Sequence, residues 1–224
     1  MKKMPRFAVI LSGCGRADGS EIHETVTALL AIDNSGCTYQ CFAPDVMQAK
    51  VINNLTSEPM PENRNVLVES ARIARGDILP IDELNIDDFD CILLPGGVGA
   101  ITNWCDFNAK GINCDIDSSI SYILETAFIK NKVIGAMCIA PVVLALVLGK
   151  YGIKITIGND KKVAQNIEKT GAIHENKEAS EVSIDTKNKI VTTPAYMLAK
   201  SIKEVAKGAN NLVLSMIGLV NNEN

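Results

Sequence analysis

Histidine is nearly absent: His23 and His174 are the only two in 224 residues. So few imidazoles, set so far apart, argue against a zinc site, and no metal is expected. The seven cysteines (Cys14, Cys37, Cys41, Cys91, Cys105, Cys114 and Cys138) are odd in number, and none form a CxxC pair. That pattern argues against a disulfide framework and for reduced thiols in a cytosolic compartment. Several lie inside apolar runs, where a free cysteine acts as a small hydrophobe. Basic runs are missing too; Lys161–Lys162 is only a pair, so no nucleic-acid partner is expected. Long apolar runs are missing as well, the longest being Pro141–Leu148, far too short to span a membrane. Residues 1–6 are basic but lack the apolar core and small-residue cleavage site of a signal peptide. The expectation is a cytoplasmic protein without membrane attachment.

What is present reads as an α/β chain. Apolar residues make up 47% and charged residues 21%, with a net charge of −4, a balance that suits one α/β domain over residues 1–224. Residues 7–11, 90–94 and 133–137 are apolar runs, each leading into a turn, as buried parallel strands are. Residues 38–43 and 189–193 add further strands, and 154–157 and 182–185 two shorter candidates. Helices are expected over 21–34, 65–74, 115–130, 141–148 and 196–217. For the first, Ser20 is the expected cap, with Ile22, Val26, Leu29 and Leu30 as its core face. Residues 49–77 read as an inserted segment. Strands alternating with helices give a mostly parallel sheet covered on both faces. Ligands in such sheets bind beyond the carboxyl ends of the strands. Three strand ends stand out there: 12–15, 95–99 and 137–140.

The third of these carries chemistry. The strand 133–137 runs without a spacer into Cys138, then Ile139, Ala140 and a helix. This is the layout of a nucleophile elbow with a thiol in place of serine. A helix N-terminus favours thiolate, the nucleophilic form. A core cysteine closing an apolar strand fits the same pattern. Pro95-Gly96-Gly97 offers bare backbone N–H groups to a ligand, or makes an ordinary turn. Glu21 suits the helix dipole, and Glu24, one turn on, could point into the cleft. The loop 13–19 has a dinucleotide-binding look, but it misses the third glycine by one position and puts Asp18 and Glu21 where a pyrophosphate would sit. His23 and His174 suit surface or structural roles.

Taken together, these residues carry a family resemblance. Ser12-Gly13-Cys14-Gly15, residues 18–24, Cys41-Phe42-Ala43-Pro44-Asp45, Pro95-Gly96-Gly97, Met137-Cys138-Ile139-Ala140-Pro141 and residues 192–199 resemble the ElbB-like isoprenoid-biosynthesis glyoxalases. These form part of the PfpI-like branch of the class I glutamine-amidotransferase-like superfamily. The resemblance implies a flavodoxin-like three-layer sandwich, usually a homodimer. It also implies a cofactor-free glyoxalase or protein deglycase acting on small dicarbonyls, glyoxal going to glycolate. Carried over, Cys138 is the nucleophile, Glu24 the acid that hydrogen-bonds it, and Gly97 and Ile139 the oxyanion donors. Many relatives place a histidine shortly after the nucleophile helix; residues 154–160 have none, which argues against a glutaminase. A non-enzymatic alternative is a redox-sensing or regulatory dimer built on an oxidisable Cys138 with a depressed pKa.

Overall fold

The computed structural model describes residues 4–221, so part of the basic N-terminal stretch lies outside it. The strands are β1 (Arg6–Ile10), β2 (Thr38–Ala43), β3 (Ile78–Pro80), β4 (Cys91–Leu94), β5 (Val133–Met137), β6 (Lys154–Ile155), β7 (Ile173–His174), β8 (Ser183–Asp185) and β9 (Ile190–Thr193). The helices are α1 (Ile22–Asn34), α2 (Val66–Ile73), α3 (Phe107–Lys110), α4 (Ser118–Ile129), α5 (Pro141–Leu148), α6 (Lys161–Lys169) and α7 (Ile202–Asn221). Seven strands form one sheet in the order β3-β2-β1-β4-β5-β9-β8. All neighbours are parallel except β8, which runs antiparallel to β9. The expected three-layer, flavodoxin-like architecture is what the chain adopts.

Burial on both faces explains the unbroken apolar strands. In β1, Phe7 and Val9 join the core beneath α1 and α7, while Ala8 and Ile10 join the core beneath α4 and α5. Strand β4 divides likewise, Cys91 and Leu93 to the first face, Ile92 and Leu94 to the second. An alternating polar pattern would bury a polar side chain on one face at every second position.

Helix α1 departs from the sequence expectation in two ways. Its cap is Glu21, whose Oε2 accepts from the Glu24 N–H at 2.7 Å; Ser20 instead accepts from the Ser12 N–H at 2.9 Å. Its core face is also rotated. Leu29 is buried, but Ile22, Val26 and Leu30 are exposed, and Glu24, Thr25, Ala28 and Ile32 are buried instead. The inward face must fit under α7 and toward the site, which favours small side chains and one acid over the larger aliphatics. The last helix begins at Ile202, not at residue 196. Ala195 sits in the left-handed region, φ 44°, and residues 195–197 make a tight single turn. Sequence pattern also missed β3, α6 and β7, which are short or weakly apolar. Within residues 49–77, α2 serves as the crossover from β2 to β3.

Candidate active site

The carboxyl ends of β1, β4, β5 and β9 lie side by side, and four loops meet above them. Two of the loops lock together through the backbone. Glu21 N–H donates to Gly96 O at 2.9 Å, Val98 N–H to Arg16 O at 2.9 Å, and Gly99 N–H to Gly19 O at 3.0 Å. Asn103 ties in a third segment: its Nδ2 donates to Ser12 O and Asp18 O at 2.8 and 2.9 Å, and its Oδ1 accepts from Ala49 N–H at 2.9 Å. Pattern reading missed Asn103, because an asparagine in a loop carries no sign of what it bridges. Asn103→Ala takes this partner from Ser12 O and the Ala49 N–H, while Asp18 O keeps the Gln48 Nε2 donor at 2.8 Å, and is expected to cost about 2–3 kcal/mol of stability. A lowered urea midpoint at unchanged slope is the check.

Asp18 is spent inside the same framework, its carboxylate accepting from Ile52 N–H at 2.8 Å and from Asn54 Nδ2 at 3.3 Å. The glycine-containing loop is thus closed by its own chain and offers no seat for a pyrophosphate.

Cys138 sits on the turn between β5 and α5 with φ 61°, in the left-handed region that a non-glycine residue occupies under strain. The surrounding structure enforces this: Cys138 N–H donates to Thr193 O at 2.9 Å, tying the elbow to β9. The thiol is buried. Burial comes first and the nearby Glu24 second in pushing its pKa well above the ordinary thiol value. The N–H groups of Gly97 and Ile139 point at the sulfur and pull the other way, but they do not prevail. The expected depressed pKa is therefore corrected: at rest the sulfur carries its proton. Desolvation and a carboxyl beside it outweigh what two N–H groups at a helix start supply.

Glu24 is fully buried. Its Oε1 accepts from Tyr196 N–H at 3.1 Å. Its Oε2 makes no hydrogen bond of good geometry, and it faces the Cys138 thiol and the Gly96 backbone at longer range. Desolvation raises the Glu24 pKa to about 8, despite the bonds that favour its charged form. Gly96 makes this meeting possible. A Cβ there would lie 2.3 Å from Cys138 Cβ, 2.4 Å from Glu24 Oε2 and 3.0 Å from Cys138 Sγ. Gly97 follows with φ 104°, and its N–H lies within reach of the sulfur. The structure thus brings together all four residues singled out from sequence: Glu24, Gly97, Cys138 and Ile139.

Neither histidine completes a triad. His23 is exposed and its Nδ1 lies 2.8 Å from the Tyr196 hydroxyl. His174 Nε2 accepts from Ile157 N–H at 3.3 Å, and burial lowers its pKa, as suits a neutral acceptor. None of the seven cysteines is in a disulfide, and burial pushes Cys41 and Cys105 up to about 12, which leaves them inert core residues. Among the described residues no group of histidine, cysteine and acidic side chains could hold a metal ion, and no helix is long and apolar enough to cross a membrane.

No family model matches the chain. Individual proteins do. The human glutamine amidotransferase-like class 1 domain-containing protein 3 is 38% identical over 224 residues, covering 96% of this chain and 83% of the human one. A crystal structure of an isoprenoid biosynthesis protein with an amidotransferase-like domain, from Ehrlichia chaffeensis, superposes with a TM-score of 0.91 at 34% identity, over 96% of this chain and 99% of that one. A ThiJ/PfpI domain protein from Brachyspira murdochii shares the fold, at TM-score 0.60 and 14% identity over 99% of each chain. The human relative is mitochondrial, as are the ES1 relatives of rat and zebrafish. These relatives overturn the expectation of a cytoplasmic protein: free thiols report the redox state of a compartment, not which membrane encloses it. With that identity to the human protein along nearly all of its length, the chain belongs to the glutamine amidotransferase-like class 1 domain family.

Proposed function

We propose that this chain is a cofactor-independent enzyme of the glyoxalase or deglycase kind, acting on small dicarbonyls with Cys138 as nucleophile. One observation carries the reading. A buried carboxyl with a pKa of about 8 turns its unpartnered oxygen toward a buried thiol on a strained elbow. A carboxyl with that proton affinity suits proton transfer near neutral pH.

Glu24 carboxylate takes the thiol proton as Cys138 sulfur adds to one aldehyde carbon of glyoxal. The Gly97 and Ile139 N–H groups hold the oxyanion that forms. Glu24 hands the thiol proton on to that oxygen, which gives a hemithioacetal and restores the carboxylate. Glu24 then takes the proton from the carbon bonded to sulfur and delivers it to the neighbouring carbon, while the hydroxyl proton passes from the first oxygen to the second, so that the first carbon is oxidised and the second reduced. The product is a thioester of glycolate. Water cleaves it, releasing glycolate and restoring the thiol.

Burial and a raised pKa leave the oxidation-sensor alternative without the depressed-pKa thiol it was built on. A glutaminase reading lacks its histidine, since His23 and His174 are both engaged elsewhere.

The test is glyoxal consumption by the purified chain without added cofactor. Glycolate is expected to appear one for one with glyoxal lost, and prior alkylation of Cys138 is expected to stop it. A rate no greater than that of Cys138→Ser overturns the reading.

A further inference from the structure

We propose that His23 and Tyr196 form a clasp that positions the Glu24 carboxyl against Cys138, an assignment that rests on reading Glu24 and Cys138 as the reacting pair. The chain from Thr193 to Tyr196 touches both members of that pair. Thr193 O accepts the Cys138 N–H at 2.9 Å, and three residues later Tyr196 N–H donates to Glu24 Oε1 at 3.1 Å. This short strap therefore sets the spacing between the elbow and the acid.

The strap is under strain and needs an anchor. Ala195, between Pro194 and Tyr196, is buried and left-handed, with φ 44°. For a residue with a Cβ this conformation is costly and persists only when its surroundings enforce it. Beyond Tyr196 the chain turns away, with Ala199 N–H donating to Ala195 O at 2.8 Å. A second bond ties the strap to α1, the Tyr196 hydroxyl and His23 Nδ1 lying 2.8 Å apart. His23 directly precedes Glu24, so the clasp joins the strap to the helical turn that carries the acid. Neither clasp side chain needs to touch substrate.

Glu24 is faced by Glu21 from its own helix, by Cys138 from the β5–α5 turn, by the Gly96 backbone and by Tyr196. Of these, the Tyr196 N–H is the largest influence favouring the carboxylate. A looser strap weakens that bond, and Glu24 should then hold its proton to higher pH.

The experiment follows the Glu24 side-chain carboxyl carbon by NMR through a pH titration of the full chain, its resonance assigned by loss in Glu24→Gln. Tyr196→Phe and His23→Ala are each expected to raise the midpoint by about half a pH unit, the worth of part of one hydrogen bond. His23→Asn, whose amide can stand in for Nδ1, is expected to bring it back. In the glyoxal assay the same variants should lower kcat and leave KM unchanged. His23 is exposed, so its variants carry the test even if Tyr196→Phe does not fold. A midpoint unmoved in His23→Ala overturns the clasp. If the midpoint moves but wild type does not turn over glyoxal, the clasp stands and the enzymatic reading falls.

Discussion

Glu24→Gln is expected to slow glyoxal turnover by about 10²- to 10⁴-fold, the usual worth of a positioned acid–base group, while making the fold more stable in alkaline solution. The two effects share one cause. The glutamine amide cannot take the thiol proton or pass hydrogen between carbons. It also carries no charge to bury, and its oxygen can still accept from Tyr196 N–H. In wild type, the unfolded chain gives up the Glu24 proton near pH 4.5 and the folded chain near pH 8. Between these values the folded state binds the extra proton, so each rise in pH favours unfolding. The penalty is absent below 4.5 and complete above 8. Unfolding free energies from urea titrations of wild type and Glu24→Gln should therefore agree at the acid end and separate by several kcal/mol at the alkaline end, with the variant the more stable. Equal values across the range would contradict an acid held protonated by burial.

Gly96→Ala is expected to silence the site and weaken the fold together. The added methyl would meet Cys138 Cβ at 2.3 Å. No rotation relieves that clash, since a Cβ is fixed to its backbone. Either β4 or the elbow must move, and the elbow is held by β9 through Thr193. Overpacking of this kind costs about 1–3 kcal/mol, and displacement of the elbow should bring glyoxal turnover down to the Cys138→Ser level. Thermal melting beside the activity assay separates the two losses. A variant that retains full turnover would mean that Glu24 and Cys138 need not meet across Gly96.

The parts of this molecule that pattern reading found are those where one requirement acts on consecutive residues. Strand β5 was legible end to end because every side chain in it is buried. The elbow was legible because strand and helix leave no room between them for anything except Cys138, Ile139 and Ala140. Helix α1 was found, but its facing was not. Ile22, Val26 and Leu30 have the spacing of a core stripe and yet point outward, while Glu24 points in. Pattern reading ranks side chains by transfer from water, and that ranking fails where chemistry needs a buried acid. The thiol's pKa was misjudged for a related reason. Sequence shows the helix start beside Cys138; the burial and the facing carboxyl emerge when distant segments meet. Tyr196 lies within the stretch 192–199 that carries the family resemblance, but its contribution through the backbone N–H has no signature in residue type.

The strap from β9 also decides when the site comes into being. Its bond to Glu24 joins positions 172 residues apart. Helices form in about a microsecond, but contacts between such remote parts of a chain come late and carry the slow phase of folding. As the polypeptide leaves the ribosome, β1, β4 and β5 emerge well before β9. Until β9 pairs with β5, the Thr193 carbonyl does not hold the Cys138 turn and the Tyr196 N–H does not reach Glu24. The nascent chain thus carries seven ordinary thiols, and Cys138 becomes distinct from the other six when the final strand closes.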